Sequence, residues 1–321
     1  MNTPPSSPLH PTAATDAVTA GPTAGLTSTG ERALVLGGGG STGNAWLIGV
    51  IAGLFDSGLD VTAADATIGT SAGSTAAAQL AGATPPELYA AILAAAQPPS
   101  SAPGSERGRG PSHPVTAHLD RMRALIDSAK DAAELRRRMG AAALERDAVA
   151  GDSWQTQWRA TVASRLPSQH WPERRVLITA VDAESGDPAV FDRDSGVELA
   201  DAVAASCSSS FAFTIGEHRY IDGGYRSNAE NADLAAGYGR VLVLSPLSGR
   251  TLQPLDWGTH LAAQVDELRA HGSNVETIFP DSDSAHLFGA NAMDPSVRAP
   301  AARAGFEHGR ALAEPLAEFW R

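Results

Sequence analysis

One serine in this sequence stands in a pattern that could make it a nucleophile. Ser71 lies in Gly69-x-Ser71-x-Gly73, after a short apolar run and before an alanine-rich stretch. A strand that turns sharply into a helix exposes such a serine above the helix N-terminal amides, and the glycines leave room for the turn. Glycine-rich chains also match G-x-S-x-G by chance. The strand-turn-helix context favours a nucleophile over a structural turn.

A nucleophilic serine needs a base within hydrogen-bond reach, and Asp222 is the candidate. It begins the run Asp222-Gly223-Gly224 directly after an apolar pair, so we expect it at the end of a strand. An Asp-Gly-Gly is also an ordinary turn sequence. If that turn lies beside Ser71, its carboxylate can accept the serine proton.

A glycine-rich run at residues 37–43, with the sequence Gly-Gly-Gly-Gly-Ser-Thr-Gly, is the third candidate. From Gly38 onward it also fits the dinucleotide-binding pattern G-x-G-x-x-G. That pattern requires an acidic residue at the end of the second strand, about 20 residues on, to bind a ribose. Here Asp60 and Asp65 precede the second strand, which runs directly into Ser71. We therefore favour the other chemistry of such a loop, in which free backbone N–H groups bind an oxyanion.

Two strand-turn-helix units carry these motifs and predict a parallel sheet. The first unit joins a strand at 33–36 to a helix at 44–57, and the second joins a strand at 66–68 to a helix at 74–81. In such units the turns lie at the carboxyl edge of the sheet, where α/β proteins bind ligands. Further strands are predicted at 175–181, 189–191, 241–244 and 275–279, and further helices at 199–206, 258–271 and 300–319.

The middle of the chain has a different composition. Residues 97–114 are rich in Pro, Gly, Ser and Arg and predict a loop, whereas residues 117–147 predict one charged amphipathic helix. Its apolar stripe comprises Leu119, Met122, Ile126, Ala129 and Ala133. A helix packed on the body by this stripe is the simpler interpretation, and a lid over a cleft is the alternative.

The overall composition is that of a globular, acidic protein. Of the 321 residues 43% are hydrophobic, which is enough for one large α/β domain. We predict a disordered Pro/Ser/Thr/Ala-rich tail at 1–30 and a single domain at 31–321, with its motifs at 33–247 and further strands and helices at 248–321. The 24 basic and 36 acidic residues give a net charge of −12, which argues against nucleic acid as a partner and slows any approach to anionic membranes.

Cysteine content and hydropathy bear on the location of the protein. Cys207 is the only cysteine, so no internal disulfide can form, and the first residues have neither the basic start nor the apolar run of a signal peptide. No apolar run reaches the roughly 18 residues that a spanning helix needs. These features predict a cytoplasmic protein.

The order glycine loop, G-x-S-x-G, Asp-Gly-Gly resembles that of a known family. Together with the blocks at 182–186, 204–207 and 231–235, it is similar to the patatin-like phospholipase family over about residues 33–247. The resemblance implies a three-layer α/β/α fold with a mostly parallel central sheet. It also implies hydrolysis of acyl esters in lipids by a Ser-Asp dyad without a histidine.

Carried over by position, the resemblance makes Ser71 the nucleophile and Asp222 the base. It makes the backbone amides of Gly38, Gly39 and Gly40 the oxyanion donors. The motif glycines that support these positions are Gly43, Gly69, Gly73, Gly223 and Gly224. The expected substrate is a lipid or another acyl ester, cleaved as by a phospholipase A, a lysophospholipase or an esterase, with transient contact at a membrane surface. No cofactor is predicted.

Two departures from the family pattern lead to a second hypothesis. Thr42 stands where many members have a basic residue, which removes a positive charge near the glycine loop. Residues 208–213 replace a longer, proline-containing loop, which alters the route into the site. The alternative function is therefore a patatin-fold protein that binds lipids or acyl groups and turns them over poorly or not at all.

Other candidate motifs lack a supporting context. Gly151-Asp152-Ser153 is similar to another lipase signature, but no strand precedes it, and we interpret it as a helix N-cap. A Ser-His-Asp triad would need a histidine after the acid, and His260, His271, His286 and His308 qualify by order alone. No cluster of Cys, His, Asp and Glu has the spacing of a structural zinc site, so no metal is predicted.

Overall fold

The computed structural model describes residues 31–95, 113–150 and 153–321. The predicted tail at 1–30 lies outside these ranges, as do residues 97–112 of the predicted loop and residues 151–152 of the candidate N-cap. Residues 113 and 114 were also expected in the loop, but they begin a helix.

Within the described ranges, eight strands form one mixed sheet. In chain order they are β1 (Arg32–Leu36), β2 (Ala66–Gly69), β3 (Arg175–Asp182), β4 (Pro188–Phe191), β5 (Phe213–Ile215), β6 (His218–Asp222), β7 (Arg240–Leu244) and β8 (Asn274–Ile278). The strands lie in the order β5-β6-β3-β2-β1-β7-β8, and β4 pairs with β3. The strands β3, β2, β1, β7 and β8 are parallel to one another, whereas β4 and β6 run antiparallel to β3. The predicted mostly parallel sheet is confirmed.

Helices cover both faces of this sheet. In chain order they are α1 (Gly40–Asp56), α2 (Ala72–Gly82), α3 (Pro85–Ala95), α4 (His113–Ser128), α5 (Ala132–Ala150), α6 (Ser153–Ala163), α7 (Leu199–Ser206), α8 (Leu261–Ala270) and α9 (Arg298–Trp320). α1, α2, α3, α6, α7 and α9 pack on one face, and α4, α5 and α8 on the other. The fold is the predicted three-layer α/β/α arrangement. Among the described helices, none combines the length and the apolar character that crossing a membrane requires.

The central strands are continuous apolar runs because both of their faces are covered. In β1, Leu34 and Leu36 enter the core under α1 and α9, whereas Ala33 and Val35 enter the core under α8. Each of these four side chains is at most 1% exposed. A strand buried on both faces loses the polar-apolar alternation of a one-sided strand, which is why the run was recognisable in the sequence.

α1 begins at Gly40, four residues before the predicted start at residue 44. The glycine-rich run therefore supplies both the loop after β1 and the first turn of the helix. Backbone N–H groups in a first helical turn have no partner within the helix. α1 ends where predicted, before Gly58, whose φ of 85° makes the left-handed turn that follows many helices.

α9 packs along α1 at very short range. Gly49 and Gly53 of α1 lie against the backbone of α9, and Gly305 and Gly309 of α9 lie against the backbone of α1. A Cβ atom on any of these four glycines would overlap a carbonyl oxygen of the other helix. The contact fixes the C-terminal helix to the helix that starts at the glycine loop.

The single helix predicted at 117–147 is wrong, because the segment forms two helices, α4 and α5, separated at residues 129–131. A variant of the capping box starts α5, in which Glu134 bonds the residue before the N-cap residue Asp131. The Asp131 carboxylate accepts the Glu134 N–H at 2.7 Å, and the Glu134 carboxylate reaches back to the Lys130 N–H at 3.1 Å. Apolar residues continue across the break, so periodicity alone did not reveal it.

α5 packs on the body of the protein through its apolar side. Leu135, Met139 and Ala143 are buried in a cluster with side chains of β3 and β6. Arg136 Nε donates to the Gly186 carbonyl at 2.8 Å, and Arg146 Nε donates to the Ser210 carbonyl at 2.7 Å. Of the predicted stripe, Ile126 is buried in the same cluster, with Met122 and Ala129 packed against it, which agrees with a segment packed on the body rather than with a lid.

Candidate active site

Ser71 occupies a strained turn between β2 and α2. Its φ of 51° and ψ of −111° lie in a region that residues with a side chain rarely adopt. The Ser71 N–H donates to Ser206 Oγ at 2.9 Å, and the Ser71 carbonyl accepts from Ser74 Oγ at 2.6 Å. Strain of this kind persists only where the surroundings hold it, and it is found most often at functional positions.

The two motif glycines leave room for this turn, Gly73 against the end of β1 and Gly69 against the first turn of α2. A Cβ atom on Gly73 would overlap the Leu36 carbonyl oxygen, and one on Gly69 would come within 2.7 Å of Ser74 Cα. Only glycine fits at either position without moving backbone. The turn therefore brings Ser71 next to the glycine loop, where the Cβ position of Gly38 would be 3.6 Å from Ser71 Cβ.

The strand register places Asp222 beside Ser71. Gly69, at the end of β2, pairs with Ile178 of β3, and Ala180 of β3 pairs with Asp222 of β6. Ser71 follows Gly69 by two residues, so it is level with Ala180 and hence with Asp222. Ser71 Oγ donates to Asp222 Oδ2 at 2.9 Å, which joins two residues 151 positions apart in the chain.

Asp222 is a buried carboxylate, with an exposed fraction of 8%. Its Oδ1 accepts the Gly224 N–H at 2.8 Å. Burial raises the pKa of Asp222 to about 6, while the hydrogen bonds from Gly224 and Ser71 act in the opposite direction. A carboxylate with such a pKa is ionised at neutral pH and is a better proton acceptor than an exposed aspartate.

The glycine loop presents only some of its amides to the site. The Gly38 N–H donates to the Ala229 carbonyl at 2.7 Å, so this amide is already paired. The Gly39 and Gly40 N–H groups have no acceptor among the described residues. Gly39 and Gly40 lie at the N-terminal, positive end of α1 and directly follow Gly38, whose Cβ position would be 3.6 Å from Ser71 Cβ.

Thr42 connects the glycine loop to a distant segment. Its N–H donates to the Ala292 carbonyl at 3.0 Å, and its Oγ1 donates to the Asn291 carbonyl at 3.0 Å. The guanidinium near this loop belongs instead to Arg298, which donates to the Ser41 carbonyl at 2.8 Å. Sequence reasoning missed Arg298, since nothing in the local sequence relates position 298 to position 41.

Asn231 is a second residue that sequence reasoning missed. It is fully buried with a φ of 54°, and its Nδ2 donates to Thr70 Oγ1 at 3.0 Å and to the Gly223 carbonyl at 2.9 Å. Arg226 Nη1 donates to its Oδ1 at 3.2 Å, which fixes the orientation of the amide. Asn231 thus links the residue before Ser71 to the residue after Asp222. The only signal was its position in a block shared with the family.

The loop at 208–213 is held close to Asp222. The Ser208 carbonyl accepts the Asp222 N–H at 2.9 Å, and the Ser209 carbonyl accepts the Tyr225 hydroxyl at 2.9 Å. Phe211 packs against Trp154 of α6, with ring centroids 5.1 Å apart. The loop is therefore held by the backbone of Asp222 on one side and by α6 on the other.

No described histidine side chain hydrogen-bonds to Ser71 or Asp222. The Nδ1 atoms of His271 and His286 lie 2.8 Å from carbonyl oxygens of their own turns. The Nδ1 atoms of His260 and His308 are buried without a described partner. Within the part of the chain that the structure describes, no group of three His, Cys, Asp or Glu side chains could hold a metal ion.

The fold and this arrangement define an α/β/α protein with a serine turn and a carboxylate at the carboxyl edge of its parallel strands. The chain belongs to the patatin-like phospholipase family, whose model matches residues 34–234. The match runs from β1 to the short helical turn Ala232–Ala235, so it includes all three motifs. It does not include β7, β8, α8 or α9.

Comparison with solved structures finds similar chains of low sequence identity. One is a chain of the complex of SpcU with ExoU from the type III secretion system of Pseudomonas aeruginosa, with 19% identity, a TM-score of 0.37 and coverage of 89% of this chain and 52% of that one. VipD from Legionella pneumophila has 12% identity and a TM-score of 0.41, with coverage of 89% of this chain and 67% of VipD. A second structure of the type III effector ExoU has 15% identity, a TM-score of 0.33 and coverage of 88% and 53%.

The chain therefore spans about half to two thirds of the length of these structures. A search of curated protein sequences gives no match.

Proposed function

We propose that the protein hydrolyses carboxylic esters of lipids, in the manner of a phospholipase A, a lysophospholipase or an esterase. The observation that carries this proposal is the hydrogen bond of 2.9 Å from Ser71 Oγ to Asp222 Oδ2, next to free amides of the glycine loop. Membership of the patatin-like phospholipase family supports lipid acyl hydrolysis at the level of the reaction class.

In the proposed reaction Ser71 Oγ attacks the ester carbonyl while Asp222 accepts the serine proton. The carbonyl oxygen becomes an oxyanion, which the Gly39 and Gly40 amides and the positive end of α1 stabilise. The intermediate then collapses, the C–O bond to the alcohol breaks, and Asp222 returns the proton to the leaving oxygen. Water then attacks the acyl-serine while Asp222 accepts a proton from it. The bond from the acyl carbon to Ser71 Oγ breaks, Asp222 gives its proton to Oγ, and the carboxylic acid leaves.

Of the three amides predicted to bind the oxyanion, we assign the role to Gly39 and Gly40. The Gly38 N–H would have to leave the Ala229 carbonyl first, which costs the free energy of a buried hydrogen bond. Gly38 instead acts as a spacer, because a larger side chain there would approach Ser71.

A lipid surface is the proposed source of substrate, with brief contact. Four large apolar side chains are exposed in segments that follow β7 and β8, where these strands end at the same edge as Ser71: Leu252, Leu255, Phe279 and Met293. The net charge of −12 opposes lasting attachment to an anionic membrane. A cytoplasmic location remains a prediction from the sequence.

The test is hydrolysis of short and long p-nitrophenyl esters and of a phospholipid by the wild type, Ser71→Ala and Asp222→Asn. His271 and His286 are candidates for the histidine of a Ser-His-Asp triad, so His271→Ala and His286→Ala are the controls. We expect both dyad variants to be inactive and both histidine variants to match the wild type. Activity of Ser71→Ala, or loss of activity in a histidine variant, would contradict the proposed dyad. An inactive wild type that binds fatty acid tightly would favour the alternative function, a lipid-binding protein.

A further inference from the structure

Arg298, the first residue of α9, contacts the start of α1. Its Nη1 donates to the Ser41 carbonyl at 2.8 Å and to Ser41 Oγ at 2.9 Å, and its Nη2 donates to Asn44 Oδ1 at 3.3 Å. Ser41 directly follows Gly40 of the glycine loop. One half-buried guanidinium thus touches the helix turn that presents the free amides.

Arg298 has no ion-pair partner among the described residues. Arg226 pairs with Asp233 at 2.8 Å, and Arg310 of the same helix pairs with Asp56 at 3.5 Å. Burial lowers the pKa of Arg298, and the nearby charge of Arg165 lowers it further, without a compensating acid. The guanidinium still carries its charge, because arginine side chains stay protonated in proteins at physiological pH.

This position is unfavourable for a cation in the resting protein. The N-terminal end of a helix carries a partial positive charge, so a cation there is repelled. The same charge becomes favourable as soon as an anion forms beside the helix end. In the proposed reaction the anion that forms there is the oxyanion.

Arg298 is also connected to the turn that carries Ser71. Asn44, whose Oδ1 it binds, donates through Nδ2 to Gln79 Oε1 at 3.0 Å and, more weakly, to the Ala72 carbonyl at 3.5 Å. Ala72 directly follows Ser71. Through Ser41 on one side and Asn44 on the other, the guanidinium braces the glycine loop against the nucleophile turn.

We propose that Arg298 is a positioning residue that holds the Gly39 and Gly40 amides relative to Ser71 and adds positive charge for the oxyanion. The inference rests on the proposed function and deepens it. Arg298 lies outside the 34–234 segment that the family model matches. It supplies from α9 the charge that Thr42 lacks within the glycine-rich run.

The test compares Arg298→Gln, Arg298→Lys and Arg310→Gln by kcat, KM and the midpoint of thermal unfolding. Removing a direct oxyanion donor costs about 10²–10³ in kcat, so for a residue one contact away we expect roughly a tenfold loss in Arg298→Gln, with KM nearly unchanged. Arg298→Lys keeps the charge and should recover most of kcat. Arg310→Gln has the same change on the same helix and should match the wild type.

Ser41→Asp provides a second variant that does not depend on the folding of Arg298→Gln. Ser41 Oγ accepts from Arg298 Nη1 at 2.9 Å, so an aspartate there gives the guanidinium a carboxylate partner. This neutralises the charge, strengthens the contact between α1 and α9, and suits the first turn of a helix. We expect a lower kcat without a lower unfolding midpoint. A role that is only structural predicts the reverse.

Two results would overturn the inference while leaving the proposed function intact. One is wild-type kcat in Arg298→Gln and Ser41→Asp when Ser71→Ala is inactive. The other is an equal loss of kcat in Arg298→Gln, Arg298→Lys and Arg310→Gln, which would indicate general damage to α9. Full activity of Ser71→Ala, or an inactive wild type, would overturn the proposed function and the inference with it.

Discussion

At the scale of single residues, Asp222 has to do alone what a histidine does in most serine hydrolases. An exposed aspartate is a poor base at neutral pH, since its ordinary pKa is near 4. Burial of Asp222 raises its pKa to about 6. The difference between this pKa and the higher pKa of the serine hydroxyl is therefore smaller, which makes proton transfer easier. The hydrogen bonds from Ser71 and Gly224 keep the carboxylate ionised and oriented.

The pH dependence of activity follows from this environment. Asp222 must be ionised to accept the serine proton, so we expect kcat/KM to fall as the pH drops below about 6, by about tenfold for each further pH unit. Initial rates on a p-nitrophenyl ester between pH 4 and pH 8 measure this. A profile that stays flat down to pH 4, or one whose acidic limb disappears in His286→Ala, would exclude Asp222 as the titrating base.

The raised pKa also predicts that Asp222→Asn is more stable than the wild type at neutral pH. The pKa of this carboxyl group is 3.8 in its ordinary state and about 6 in the folded chain, so the folded state binds the proton more tightly. The group's contribution to stability is therefore fully present below about pH 4 and is lost as the pH rises through about 6. At pH 7.5 asparagine should raise the free energy of unfolding by about 3 kcal/mol.

Urea unfolding of Asp222→Asn at pH 7.5 and at pH 3.5 tests this sign. The gain should be present at the higher pH and absent at the lower one. Exposed Asp256 provides a matched control, since Asp256→Asn should change little at either pH. A loss of stability in Asp222→Asn at pH 7.5 would mean that the carboxylate helps to hold the fold.

At the scale of secondary-structure elements, the sequence predicted those features that depend on neighbouring residues, namely the buried strands and the turn at Ser71. The strands around Leu34 and Ile68 are apolar because both faces are buried, and the turn at Ser71 needs glycines because backbone passes close by. These signals are contiguous in the sequence. Other features depend on contacts between segments that are far apart in the chain, and a single sequence does not show them. They are the hydrogen bond of the Gly38 N–H, the contacts of Asn231 with Thr70 and Gly223, and the contact of Arg298 with Ser41.

The boundary between α4 and α5 has a local sequence signal that the apolar periodicity obscured. An Asp followed by a Glu three positions later marks a helix start, and Asp131 and Glu134 form that capping box. The apolar stripe ran through it and suggested one helix. A capping signal inside a periodic stretch therefore has more weight than the periodicity.

The capping box gives a prediction that separates stability from catalysis. Asp131→Ala removes the acceptor for the Glu134 N–H at the start of α5 and should cost about 1 kcal/mol in the free energy of unfolding. Because this helix start touches neither Ser71 nor Asp222, kcat of the folded enzyme should be unchanged. Urea unfolding and ester hydrolysis measure the two quantities. Glu145→Ala, in the middle of α5, is the control that should change neither, and a fall of kcat in Asp131→Ala would give α5 a role in the site.

At the scale of the whole molecule, the site depends on the part of the chain beyond the family match. β7 pairs in parallel with β1, and the Gly37 N–H at the start of the glycine loop donates to the Leu244 carbonyl at 3.0 Å. α9 packs along α1 and brings Arg298 to the loop. We therefore propose that residues 31–321 act as one domain, in which the C-terminal elements complete the oxyanion side of the site.

Widening the gap between α1 and α9 tests this dependence. Gly305 lies where a Cβ atom would come 2.5 Å from the Trp46 carbonyl oxygen, so Gly305→Leu must push the helices apart. We expect a loss of about 3 kcal/mol in the free energy of unfolding. The folded fraction should also have a lower kcat, because the shift of α9 carries Arg298 away from Ser41. Urea unfolding, followed by kcat measured below the transition, separates the two effects.

Glu307→Leu is the matched control for this change, since it adds a leucine to an exposed position of the same helix. It should leave kcat and the free energy of unfolding near the wild-type values. If Gly305→Leu loses stability but its folded fraction keeps the wild-type kcat, α9 supports the fold without influencing the glycine loop. In that case the oxyanion side of the site would be set by β1, α1 and β7 alone, and the catalytic part of the chain would end before α9.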